Sequence, residues 1–146
     1  MPVSERGVVI DASVMLKLLL PEEGSETVHV LWRGWVERDA EIAAPFLLAY
    51  EVVSVLRNKV FRRELAPEAG DAAIAAFVSQ EVSLLHPHGI EETTWALACR
   101  WNLPTAYDAA YLALAEVTGC DLWTADRRFA VSLRRKARRV RLVGDR

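Results

Sequence analysis

The chain has 146 residues, 52% of them hydrophobic and 26% charged, which suits a folded domain with a sizeable core and excludes a disordered polymer. Its longest apolar runs, such as 14–20 with Lys17 inside, fall far short of the roughly 18 residues a membrane span needs, and no signal-peptide pattern opens it, so one cytoplasmic domain over residues 1–146 with no membrane association is expected. The net charge of -2 hides a split, because residues 127–146 hold nine of the eighteen Lys and Arg residues against one acid, Asp145, and carry +8 against -10 for the rest; the split predicts an acidic site beside a basic flank.

In chain order, Val8 to Ile10 reads as a short buried strand that runs straight into Asp11. The "SVMLKLLLPEE" stretch that follows is a helix apolar nearly all round, and Val28, Leu31, Trp32, Trp35 and Val36 recur at helical spacing. A weak strand over 41–45 precedes a second amphipathic stripe of Leu48, Val52, Val55, Leu56 and Val60, then a helix from Pro67 to about Gln80. The run "VSLLH" at 82–86 predicts a third strand, and 95–101 belong to another helix. "YDAAYLALAEVTG" ends at Gly119 as a capped helix does, followed by strands in "DLWTA" at 121–125 and "VRLV" at 140–143. Strands alternating with helices predict a parallel sheet with helices on its faces.

Four acids stand out. Asp11 and Asp126 each follow a strand pattern, and in open α/β sheets ligands bind at the carboxyl ends of the strands. Glu51 is the single acid between Glu41 and Glu64, on an otherwise apolar helix, and Asp108 opens a helix with no other acid until Glu116. Read one at a time, either strand-end Asp is equally a helix N-cap, Glu51 can face solvent, and Asp108 can simply favour its helix dipole. Read together, they form an oxygen-only cluster. Two carboxylates about 5 Å apart repel by roughly 3 kcal/mol at an effective dielectric of about 20, so four in one site call for divalent cations, and oxygen ligands select Mg²⁺ or Mn²⁺ over zinc.

The segments "VVIDAS", "YEVVSVLR", "YDAAYLALA" and "LWTADRRF", in that order across most of the chain, resemble the PIN domain family, and more narrowly its VapC-type ribonuclease toxins of toxin–antitoxin pairs. The resemblance implies a PIN-like three-layer α/β/α sandwich with a central, mainly parallel sheet. It implies Asp11, Glu51, Asp108 and Asp126 as catalytic, metal-binding residues, with Ser13 and Thr124 lending hydroxyls. Some relatives carry a further acid where Arg127 and Arg128 stand here. The implied reaction is metal-dependent hydrolysis of RNA phosphodiester bonds, which needs no histidine base and leaves a 5′-phosphate and a 3′-hydroxyl. Implied too are a homodimer and an antitoxin protein docked in an apolar groove near the acids, to which the 14–20 and 28–36 helices contribute.

The basic segment supplies a complement to the acids. Arg127, Arg128, Arg134, Arg135 and Lys136 are candidate RNA-phosphate contacts, as well as a plain solvated face. Trp32 and Trp35 read as core or interface rather than base-stacking platforms, His86 and His88 as turn neighbours of Pro87 rather than ligands, and Cys99 and Cys120 as core thiols without metal or disulfide spacing. Haloacid-dehalogenase-like phosphatases also place an Asp after the first strand, but need a second acid where Ser13 stands, and a receiver-type phosphoacceptor needs an adjacent acid couple and a late strand-end Lys. The remaining alternative is a catalytically inactive PIN-like module that binds RNA or protein.

Overall fold

The computed structural model describes residues 7–133 and 137–145. Its elements in chain order are β1 (Val8–Ile10), α1 (Ala12–Leu19), α2 (Ser25–Glu37), β2 (Ile42–Pro45), α3 (Leu47–Phe61), α4 (Pro67–Ser79), β3 (Ser83–Leu85), α5 (Ile90–Arg100), α6 (Tyr107–Thr118), β4 (Asp121–Thr124), α7 (Arg127–Leu133) and β5 (Val140–Leu142). The five strands form one sheet in the order β3-β2-β1-β4-β5, and every neighbouring pair is parallel. Parallel pairing requires each crossover to return over a face of the sheet, and the connections here do so through helices.

The chain winds outward from β1 through β2 to β3, then crosses back to add β4 and β5 on the other side of β1. That reversal separates the helices into layers. Helices α1, α3 and α4 pack on one another with α2 against α1, while α5 packs on α6, which lies across β2, β1 and β4. The result is the three-layer sandwich that the family resemblance implies, built on the parallel sheet expected from the alternation of elements.

Composition explains the layers. β1 is buried along its whole length, and α6 buries Ala109 and everything from Tyr111 to Ala115. Three of those buried α6 residues are alanines, which let the helix approach the sheet closely. The helix stops at Gly119, whose φ of 73° is the left-handed conformation that terminates helices with little cost to glycine. Trp32 and Trp35 are buried in the core, and Trp35 meets the edge of Trp123 from β4 with ring centroids 5.6 Å apart. Cys120 is buried as expected, but Cys99 is exposed. The α5 stripe that faces the protein carries Ile90, Leu97 and Ala98, and Cys99 lies one residue beyond Ala98, rotated out of it. Among the described residues, no helix is long and apolar enough to cross a membrane.

Candidate active site

The switch in winding direction falls between β1 and β4, where a crevice opens beyond the carboxyl ends of the strands. Asp11 leaves the end of β1 with extended backbone (φ -100°, ψ 178°) and caps α1, its Oδ1 accepting the Val14 N–H at 3.3 Å. Asp126 stands just past the end of β4 and caps α7 in the same manner, its Oδ1 accepting the Phe129 N–H at 3.1 Å. The capping and clustered-acid readings of these two residues are therefore compatible. Each spends one oxygen on its helix.

The two helical acids arrive from other directions. Glu51 projects from the first turns of α3, and Asp108 is the second residue of α6. All four carboxylates line a single cleft of about 210 Å³, together with Ser13, Leu16 and Tyr111. Among the described residues none of the four forms an ion pair with Lys or Arg. Among the described residues no three His, Cys, Asp or Glu side chains are gathered closely enough to hold a metal ion as they stand, and the four acids line an open cleft.

Burial and mutual repulsion raise the proton affinity of three of the acids. Asp11 is 7% exposed, and its pKa is pushed from 3.8 up to about 6 by burial, with the charge of Asp126 adding to the rise. The Ser13 and Thr124 hydroxyls and the Val14 N–H oppose that rise by bonding to the charged form. Glu51, half-buried, is raised by burial and by Asp108, against a lowering hydrogen bond from Tyr111. Asp108 is exposed at the rim, though the cleft walls still desolvate it enough to raise its pKa, with Asp126 adding.

A hydroxyl network joins the two strand ends. Ser13 donates to Asp11 Oδ1 at 2.5 Å, accepts the Ala125 N–H at 2.8 Å, and lies 3.3 Å from the Thr124 hydroxyl, which accepts the Asp126 N–H at 3.0 Å. Sequence reasoning does not single out Tyr111, which reads as one more apolar position of α6. In the structure it is buried, lines the cleft and donates to Glu51 Oε1 at 2.9 Å. Arg127 and Arg128 are exposed in the first turn of α7, next to Asp126. Arg134, Arg135 and Lys136 lie outside the described residues. His86 bonds Glu91 at 2.6 Å and stacks on Phe46, away from the acid cleft.

The family model for the PIN domain matches residues 8–132. The chain belongs to the PIN domain family. The matched segment runs from β1 into α7 and contains all four acids of the cleft. Relatives of this PIN domain include the ribonuclease VapC3 of Pyrobaculum aerophilum, 36% identical over 84% of this chain and 91% of its own length. A VapC ribonuclease of Mycobacterium bovis is 32% identical over 84% of this chain and 88% of its own, and the ribonuclease VapC1 of Mycobacterium tuberculosis is 33% identical over 85% and 89%. Within the PIN family, the chain therefore groups with the VapC ribonucleases. The crystal structure of PAE2754 from Pyrobaculum aerophilum superposes with a TM-score of 0.70 at 22% identity, covering 97% of this chain and 92% of that one, and shows the same fold.

Proposed function

We propose that this PIN domain is a metal-dependent endoribonuclease, the toxin of a VapBC-type toxin–antitoxin pair. The observation that carries the reading is the convergence of Asp11, Glu51, Asp108 and Asp126, from four separate elements, on one cleft with no neutralising Lys or Arg among the described residues. An RNA phosphate is itself an anion and gains nothing from four carboxylates alone. The donor set is all oxygen and fits a hard divalent ion, Mg²⁺ or Mn²⁺, which these four residues would hold. When bound, such ions activate water for in-line attack at phosphorus and stabilise the departing oxygen.

The protein's own residues divide the remaining work. Asp11 and Asp108 are the principal ligands in this reading, and Glu51 and Asp126 complete or orient the set. Ser13 and Thr124 hold Asp11 through the hydroxyl network. Arg127 and Arg128, with Arg134, Arg135 and Lys136 in the same basic segment, bind flanking phosphates without reading sequence. Two arginines in the first turn of α7 oppose its dipole, at a cost of about 0.3–1 kcal/mol each, which supports a role other than stabilising the helix.

The described residues share one hydrophobic core, which supports a single PIN-like domain over residues 1–146. Half-buried Leu16, Leu18 and Leu19 on α1 and exposed Val30 on α2 support an apolar groove for an antitoxin protein; Leu16 reaches the acid cleft itself. A homodimer completes the proposed assembly. Replacing Asp108 with Asn tests the reading: RNA cleavage is expected to fall at least about a hundredfold with unchanged circular dichroism, and undiminished cleavage would remove Asp108 from the site.

A further inference from the structure

Tyr111 presents an unusual combination of burial and polarity. Its side chain is 2% exposed, in the middle of the most deeply buried helix, where a phenylalanine would fill the same space without a hydroxyl to satisfy. The hydroxyl is satisfied by Glu51 Oε1 at 2.9 Å, across 60 residues of sequence. Among the described residues it is also the one hydrogen-bond partner of that carboxylate.

The cleft repeats this arrangement. Asp11 Oδ1 is held by Ser13 and Val14, with the Thr124 hydroxyl bonding the same carboxylate, and Asp126 Oδ1 is held by Phe129. Glu51 is not a helix cap and has no backbone N–H to anchor it. α6 supplies the missing donor from Tyr111, which lies one helical turn beyond Asp108 on the same face.

We infer that Tyr111 is a positioning residue for Glu51: its hydroxyl fixes Oε1 and leaves Oε2 directed to the ligand of the cleft. The same helix thus contributes one acid, Asp108, and orients another that belongs to α3. This inference rests on the nuclease reading above.

The test is Tyr111→Phe, which removes one oxygen and keeps the ring, made both in the natural chain and in a Glu51→Gln background. Mn²⁺ affinity is measured by calorimetry without RNA, and cleavage of a labelled RNA at several Mn²⁺ concentrations. The expected result is a loss of about 10- to 100-fold in Mn²⁺ affinity, a parallel loss of cleavage that excess Mn²⁺ partly restores, and a thermal midpoint in EDTA close to that of the natural chain. In the Glu51→Gln background Tyr111→Phe should change cleavage less than about twofold, because the group it orients has been altered. Unchanged Mn²⁺ affinity and cleavage, or an equal loss in both backgrounds, would overturn the inference while leaving the nuclease reading intact. A natural chain that neither binds Mn²⁺ nor cuts RNA would overturn both.

Discussion

The Ser13 hydroxyl accepts the backbone N–H of Ala125 at 2.8 Å while donating to Asp11 Oδ1, so one side chain ties the end of β1 to the end of β4 across 112 residues of sequence. These are the two strands between which the winding reverses and the crevice opens. Fixing their ends relative to one another also fixes the separation of Asp11 and Asp126. Ser13→Ala leaves the Ala125 N–H without its acceptor and Asp11 without one donor. A loss of about 1–3 kcal/mol in stability is expected, with RNA cleavage down about tenfold or more. Chemical denaturation and cleavage of the same preparation check both, and a variant that matches the natural protein in both would show the tie to be dispensable.

Asp11 makes stability depend on pH in an identifiable direction. Its folded pKa of about 6 lies above the ordinary 3.8, so the folded metal-free protein holds that proton more tightly than the unfolded chain does. The stability this contributes is complete below about pH 4 and is lost as pH rises through about 6; a rise of this size corresponds to about 3 kcal/mol. Glu51 and Asp108 are shifted in the same direction. Asp11→Asn should therefore make the EDTA-treated protein more stable at pH 7 and flatten its stability profile between pH 4 and 7. Urea unfolding across that range measures it, and a variant profile parallel to that of the natural protein would contradict the shift.

The arginines of the C-terminal region are not equivalent. Arg141 pairs with Asp121 at 3.1 Å and Arg139 donates to the Gly119 carbonyl at 2.7 Å, whereas Arg127 and Arg128 are exposed and form no ion pair among the described residues. Replacing Arg127 and Arg128 with Ala should weaken RNA binding at low salt and reduce the slope of log affinity against log salt by about 0.7 for each single-strand phosphate that is no longer neutralised. Replacing Arg134, Arg135 and Lys136 should act in the same direction, while Arg141→Ala should leave the slope unchanged. Fluorescence anisotropy over a salt series distinguishes the variants; equal slopes throughout would reduce the segment to a solvated face.

Much of this organisation is legible in the sequence because the decisive signals are local. Asp11 and Asp126 announce themselves by following short apolar strands, and Glu51 and Asp108 by being lone acids in apolar helices. Every predicted strand pairs in the sheet, since alternation of strand and helix patterns leaves parallel crossovers as the natural arrangement. Pairing at a distance is not legible in this way. Tyr111 sits in "YLALA", where an aromatic reads as packing, and only the fold brings Glu51 to its hydroxyl. Cys99 escapes a sequence reading for a related reason: its neighbours Leu97 and Ala98 are buried, and hydrophobic character alone does not resolve a rotation of one residue around a helix.

Two helical glycines test the packing independently of function. A Cβ built on Gly34 in α2 meets nothing within 4 Å, whereas one on Gly70 in α4 comes within 2.8 Å of Val60 Cγ2 on α3. Gly34→Ala should stabilise the protein by about 0.5–1 kcal/mol through helix propensity. Gly70→Ala gains the same propensity but must separate α4 from a stiff β-branched neighbour, at about 1–3 kcal/mol, and a net destabilisation is expected. Thermal unfolding in EDTA shows whether the signs are opposite, and stabilisation by both would mean that α3 and α4 pack less closely than this geometry requires.

Cleavage of a panel of labelled RNAs shows whether the four-carboxylate cleft is a metal-dependent ribonuclease site. The purified protein is assayed with Mg²⁺ or Mn²⁺, with EDTA, and as an Asp11→Asn variant prepared identically to control for contaminating ribonucleases. Cleavage that requires both the metal and Asp11 is the predicted result. Cleavage that persists in EDTA or in the Asp11→Asn variant, or a natural protein that binds RNA without cutting any of the panel in the presence of metal, would contradict it, the latter in favour of a PIN-like binding module.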